Sequence, residues 1–143
     1  MKISFDFDDC LAIPRRTSGD SLVWAGNNYV IDLNEKISKV MSEHIAKGDN
    51  VHIVSFRKLV GKLEMIHFIR DHDLMVPIDH IHCTHHNPKS EIINELGIEI
   101  HYDDMIQVCI DLNLHSKCKP ILVLPVGDVG RNSSADLFEQ FVY

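Results

Sequence analysis

Carboxylates crowd the end of the first apolar run of the chain. In Lys2-Ile3-Ser4-Phe5-Asp6-Phe7-Asp8-Asp9-Cys10-Leu11, Asp6, Asp8 and Asp9 fall within four positions. Like charges this close raise one another's pKa and weaken a strand end unless a cation sits among them. A second acidic pair, Asp103-Asp104, closes the run Ile98-Glu99-Ile100-His101-Tyr102. Each pair alone reads as an ordinary solvated turn. If the two strands are neighbours, however, Asp6, Asp8, Asp103 and Asp104 converge on one crevice as candidate metal ligands. Oxygen-only ligands suit Mg²⁺, which takes a few carboxylates, waters and substrate phosphate oxygens. Ser55 ends a third apolar run, and Lys89 opens a helix. A lysine in a first helical turn opposes the macrodipole, and an anion held at that helix end would remove the conflict.

The elements that must position these residues alternate as strands and helices. Residues 2–6 read as a strand. Ala12 to Ile31 is irregular and reads as a flap, with Leu22-Val23-Trp24 facing Tyr29-Val30-Ile31 across Ala25-Gly26-Asn27-Asn28. A helix capped by Asp32 or Asn34 carries Ile37, Val40, Met41, His44 and Ile45 on one stripe and ends at Gly48. Val51–Ser55 is a second strand, and Leu59, Leu63, Ile66 and Ile69 mark a helix running to about Asp71. Asp79 to Thr84 is a third strand. Asn87-Pro88 reads as a cap with proline at the first helical position, before Ile92, Ile93, Leu96 and Gly97. Ile98 to Tyr102 is a fourth strand, followed by a helix over about Met105 to Leu114. A fifth strand over Pro120 to Leu124 and a last helix from about Ser134 complete the pattern. It predicts an α/β fold with a doubly wound parallel five-stranded sheet, in which ligands bind beyond the carboxyl ends of the strands where strand order reverses.

At 143 residues, with 45% hydrophobic and 24% charged residues, the chain is expected to form a single domain over 1–143 with its own core. The formal net charge of −7 argues against nonspecific attraction to a polyanion. The start is too short and too acidic for a signal peptide, and no apolar run approaches the roughly 20 residues needed to cross a bilayer. No membrane partner and a cytoplasmic location are therefore expected. Cys10, Cys83, Cys109 and Cys118 form no CxxC pair and read as reduced core thiols.

These motifs resemble the haloacid dehalogenase (HAD) superfamily of phosphatases. Phe5 to Leu11 is similar to its first motif, Val51 to Ser55 with Phe56-Arg57 to the second, Pro88-Lys89-Ser90 to the third, and Ile100 to Asp104 to the fourth. No single motif is specific, but all four stand in order at the ends of a βα alternation. The resemblance implies a HAD-like, Rossmann-type fold and a Mg²⁺-dependent phosphomonoesterase. It implies that Asp6 attacks phosphorus to form an aspartyl-phosphate, while Asp8 protonates the leaving oxygen and then activates water. It implies that Ser55 and Lys89 hold the phosphoryl oxygens and that Mg²⁺ is bound by the Asp6 carboxylate, the Asp8 backbone carbonyl and Asp103. Asp104 is then expected to orient Lys89 or a metal-bound water. Asp8 favours phosphate over dehalogenase chemistry, since only an alkoxide leaving group needs a proton. Asp9 and Cys10 depart from the family's glycine and threonine or valine; Asp9 puts a side chain in a tight turn.

The interval between the first two motifs leaves room only for the flap and one helix, so the resemblance is to a capless form with an open site. Its expected partner is a phosphorylated substrate: a nucleotide or polynucleotide phosphate end, or a small sugar phosphate if neighbouring subunits cover the site. The oligomeric state is open. Arg15, Arg16, Trp24 and Tyr29 on the flap, with Arg57 and Lys58 below, are suited to binding phosphate and stacking a base, although paired aromatics also pack across strands on their own account. Two readings of other classes stand beside the enzyme: a non-catalytic domain that binds a phosphorylated ligand, and a zinc or nickel protein built on His80, His82, His85 and His86, whose spacing matches no standard site.

Overall fold

The computed structural model describes residues 1–143 and is an α/β fold around one six-stranded sheet. Its strands are β1 (Lys2–Phe5), β6 (Asn50–Ser55), β7 (Ile81–Cys83), β8 (Ile100–Asp103), β9 (Lys119–Leu124) and β10 (Glu139–Val142), all paired in parallel in the order β10-β9-β8-β1-β6-β7. The chain runs outward from β1 through β6 to β7, then returns to the other side of β1 for β8, β9 and β10. The reversal lies between β1 and β8, which are direct neighbours with Ser4 opposite His101 and Phe5 opposite Tyr102. The carboxyl ends of these two strands therefore flank the crevice where such sheets bind ligands.

Strand periodicity sorts the residues onto two faces. Ile3, Phe5, Val51, Ile53, Ile81, Tyr102, Ile121 and Val123 form the larger core with α1 (Glu35–Ala46) and α2 (Lys62–Asp71), which contribute Ile37, Met41, Met65, Phe68 and Ile69. On the opposite face Val54 packs with α3 (Lys89–Leu96) and α4 (Ile106–His115) through Ile93, Val108 and Leu112. The sheet's second face also carries the buried polar residues Ser4, His52, His101 and Asp103. No helix is long and apolar enough to cross a membrane.

Three expectations are corrected. The segment expected to form a last helix from Ser134 is a 3-10 turn at Ser133–Leu137, and the residues after it extend as β10 along β9, so the sheet has six strands rather than five. Phe141, Val142 and Tyr143 suit a pleated surface, and the open edge of β9 offers them a ladder. Leu59 and Leu63 are exposed, because Leu59–Gly61 is a separate 3-10 turn and α2 turns Met65, Phe68 and Ile69 inward instead. Finally, α3 begins at Lys89 with Pro88 at the cap position and no side-chain cap of its own. Asn34, by contrast, caps α1 as expected, accepting from Ile37 N–H while its amide donates to Cys10 O.

Between β1 and α1 lies the flap. Its base is β2 (Ala12–Pro14) paired antiparallel with β5 (Ile31–Leu33), and its tip is the short ribbon of β3 (Trp24–Ala25) and β4 (Asn28–Tyr29). Trp24 and Tyr29 face each other edge-on across this ribbon, and both remain exposed. The turn from β1 into the flap passes through Asp9 at φ 58°, where the Asp9 N–H donates to Ala12 O at 2.9 Å. A left-handed residue at this point explains why glycine suits it and why aspartate, among the better-tolerated side chains there, is accommodated. Asp9→Gly is expected to leave the melting temperature unchanged or raised, whereas Asp9→Ile costs about 1–2 kcal/mol in chemical denaturation. Equal stabilities for the two variants would contradict a strained turn.

Candidate active site

Asp6 follows the last residue of β1, Asp103 ends β8 and Asp104 follows it, so three carboxylates meet at the strand-order reversal. One oxygen from each lies within 4.8 Å of the others. Lys89, the first residue of α3, reaches between them: its Nζ donates to Asp6 Oδ1 at 2.9 Å and to Asp103 Oδ2 at 2.6 Å. The ammonium is 1% exposed and stands 4.8 Å from the centre of the Phe56 ring. The conflict between Lys89 and the helix dipole is thus met by the protein's own anions. Two are Asp6 and Asp103; the third is Asp111 of α4, which accepts from the Ser90 N–H at 3.1 Å and the Ser90 hydroxyl at 3.0 Å.

Electrostatics separates the three carboxylates. Burial by itself would raise Asp103, but the Lys89 charge and the His101 hydrogen bond hold it down at about 2. Burial and then the charge of Asp103 raise Asp6 well above the usual range, with Lys89 only partly offsetting them. Burial is also the main cause that lifts Asp104 to about 6; a hydrogen bond with Asp6 opposes it and the Asp103 charge adds to it. For Lys89 burial opposes the charge, and the two neighbouring carboxylates overcome it and raise the pKa. When all are ionised, three carboxylates against one ammonium leave two negative charges in a nearly dry site. An all-oxygen donor set with that imbalance fits a divalent hard cation.

Asp8 stands apart. Its oxygens receive Nη2 and Nε of Arg57 at 2.8 and 2.9 Å, and its side chain is 45% exposed. The Asp8 side chain is therefore not with the three clustered carboxylates, and Arg57, expected on substrate, is engaged with Asp8 and with Glu64 at 3.2 Å. Ser55 ends β6, is buried, and accepts the Arg57 N–H at 3.1 Å, which sets the turn that aims Arg57 back at Asp8. Asp8, Asp9, Tyr29, Arg57, Lys58 and His86 line an open crevice of about 520 Å³. Of the other flap residues, Arg15 is paired with Asp32, Arg16 donates to Asp20 O, and Trp24 does not line this crevice. The largest groove, about 800 Å³, lies at the far end of α3 and α4 around Gly97 and Cys118, away from every carboxylate above.

The four-histidine cluster is not assembled. His80 and His82 gather instead on His52, whose ring stacks on His80 with centroids 4.1 Å apart and whose Nδ1 lies 3.0 Å from His82 Nε2. His85 and His86 sit in the turn after β7 at φ 54° and 65°, and only His86 reaches the crevice. Cys10 is fully buried, its thiol donating to Tyr102 O at 3.7 Å, and burial pushes its pKa well up, which makes it an inert core thiol. Two contributors were missed in the sequence. Asp111 gives no local signal. His101 does give one: it precedes Asp103 by two residues, as Ser4 precedes Asp6, so both polar residues share the buried face of the aspartates.

Neither a family model nor a curated protein matches this chain.

Two measurements probe the cluster. Asp104 has a folded pKa above 3.8, so it contributes stability present below 3.8 and lost as pH rises through about 6. In metal-free protein, the melting temperature of Asp104→Asn relative to wild type is expected to climb from about pH 4.5 to 7.5, and Mg²⁺ to shrink that gap at the upper end. A difference that does not change with pH would contradict the arrangement. Lys89→Met leaves two buried carboxylates without their cation and is expected to cost roughly 3–5 kcal/mol at neutral pH by urea unfolding.

Proposed function

We propose that the protein is a Mg²⁺-dependent phosphomonoesterase working through an aspartyl-phosphate on Asp6. The observation that carries this reading is the buried Lys89 ammonium bridging Asp6 and Asp103 beside Asp104. It gives one carboxylate of the cluster a fixed orientation at a strand end and sets a cation beside the place where phosphoryl charge develops.

In the proposed reaction an Asp6 oxygen attacks phosphorus and the ester oxygen departs with its electron pair, taking a proton from Asp8. Asp8 then accepts a proton from the water that attacks phosphorus, phosphate leaves, and the Asp6 carboxylate is restored. Each Asp8 oxygen keeps a lone pair beyond its bond to Arg57, so the fork positions the carboxyl without blocking it. Lys89 has a third N–H, and Ser55 its hydroxyl proton, to offer the phosphoryl oxygens. Mg²⁺, bound by Asp6, the Asp8 carbonyl and Asp103 or Asp104, would supply charge neutralisation at the phosphoryl group.

The open crevice beside Asp8, with Tyr29, Lys58 and His86 on its walls, favours a nucleotide or polynucleotide phosphate end. A small sugar phosphate would leave most of those walls uncovered. The test is phosphate release from p-nitrophenyl phosphate, nucleotides, 3′- and 5′-phosphorylated oligonucleotides and sugar phosphates, with and without Mg²⁺. Wild type is expected to release phosphate with Mg²⁺ and Asp6→Asn to fall to background. Equal rates for the two proteins would refute the mechanism, and no release from any substrate would favour a phosphate-binding domain.

A further inference from the structure

One buried chain of polar groups runs behind the site and contacts no crevice. His101, fully enclosed on β8, places Nε2 at 2.8 Å from Asp103 Oδ2 and Nδ1 at 2.7 Å from Ser4 Oγ on the neighbouring strand. Ser4 is likewise fully enclosed. The register that sets Ser4 opposite His101 makes this contact, so it is a property of the β1–β8 pairing rather than of a flexible side chain.

The donors and acceptors of this chain are fixed by what each group lacks. Asp103 Oδ2 already receives the Lys89 ammonium and is an acceptor, so the proton of the His101–Asp103 bond lies on Nε2. A neutral imidazole protonated at Nε2 has a bare Nδ1, so the Ser4 hydroxyl donates to it. Oδ2 of Asp103 then has both lone pairs engaged, by Lys89 and His101. Oδ1 carries only the Met105 N–H at 3.0 Å and keeps one lone pair.

We propose that Ser4 and His101 form a positioning pair that locks the Asp103 carboxylate in rotation, and through it holds Lys89 against Asp6 and leaves Asp103 Oδ1 as the oxygen free for a cation. Without His101, Asp103 is held by Lys89 and one backbone N–H, and the carboxylate and the ammonium turn together. An ordinary buried histidine would contribute to stability alone. A positioning residue also sets metal affinity and rate, as groups that orient metal ligands do. The functional part of this inference rests on the phosphatase reading; the tautomer and the cation affinity do not.

Three measurements on the full chain test it. Long-range ¹H–¹⁵N correlation on histidine-labelled protein, with His101 assigned by the signal lost in His101→Gln, is expected to show an Nε2–H ring with an unprotonated Nδ1 at neutral pH. An Nδ1–H ring or an imidazolium would overturn the proposal. Calorimetric titration with Mg²⁺ is expected to show affinity lowered roughly ten- to hundredfold in His101→Leu, with His101→Gln, which keeps a donor at the Nε2 position, retaining most of it. In the phosphatase assay kcat/KM is expected to fall in the same order. Should His101→Leu fail to fold, Ser4→Ala takes its place. It removes only the Nδ1 donor and is expected to weaken Mg²⁺ binding while keeping the wild-type circular dichroism. A folded variant that loses melting temperature but keeps Mg²⁺ affinity would overturn the positioning role. A wild type that releases no phosphate while the Mg²⁺ affinities keep this order removes the phosphatase and leaves the positioning pair standing.

Discussion

The ion pair that the rest of the site depends on is the Lys89 ammonium, buried between Asp6 and Asp103. Removing such charges from water costs several kcal/mol per ion, and attraction offsets it only with close geometry and further hydrogen bonds. Every nearby element serves that requirement. Adjacent β1 and β8 bring the two aspartates within reach of one nitrogen, and the register carries Ser4 and His101 in behind them. The start of α3 places Lys89 at the end of a helix that repels it, and Asp111 from α4 supplies negative charge to Ser90 at that same end. The Phe56 ring closes one side of the ammonium.

Three carboxylates sharing one ammonium cannot all be served equally. Asp103 takes the larger share, with Lys89 and His101 on one oxygen and the Met105 N–H on the other, and its pKa falls to about 2. Asp6 receives Lys89 alone, and Asp104 receives no cation at all; both are raised. On the proposed reading, Asp6 and Asp104 are the carboxylates for which a divalent cation in place of a proton brings the largest gain, whereas the motif resemblance puts Asp103 first and Asp104 in a supporting place.

Much of this was legible in the chain because strand ends announce themselves. An apolar run that stops at Asp6, at Ser55 or at Asp103 marks both a strand and the side of the sheet where its last side chain emerges. The helix over Glu35–Ala46 was equally plain, since Asn34, Ile37 and Met41 obey one period. What misled were segments decided by distant partners. Glu139 to Val142 become a strand because β9 has a free edge, and Leu59 and Leu63 stay outside because the chain turns once before α2 begins. His80 and His82 meet His52 from a neighbouring strand, a contact that no spacing within 80–86 encodes. Arg57 on Asp8 is likewise a bond across the crevice between residues far apart in sequence.

The site divides into a dry half and a wet half, and the division matches the work proposed for each. The Asp6 side chain is 8% exposed and lies among charges fixed by β1, β8 and α3, with little water to compete for them. The transferring phosphoryl group gains from that, since low dielectric strengthens the pull of Lys89 on its oxygens and fixed groups need no reorganisation. The same burial raises the Asp6 pKa and makes its use as a nucleophile depend on the cations beside it. Asp8 is 45% exposed at the lip of the crevice, held there by the Arg57 fork, which is itself fixed through Ser55 and Glu64. A group that must pass a proton to a leaving oxygen and later take one from water belongs where water arrives. Only one residue, Phe7, separates these environments, and the turn at Asp9 that follows them gives the separation its shape. By leaving the strand at once, the chain keeps Asp6 in the sheet's interior end and delivers Asp8 to the rim.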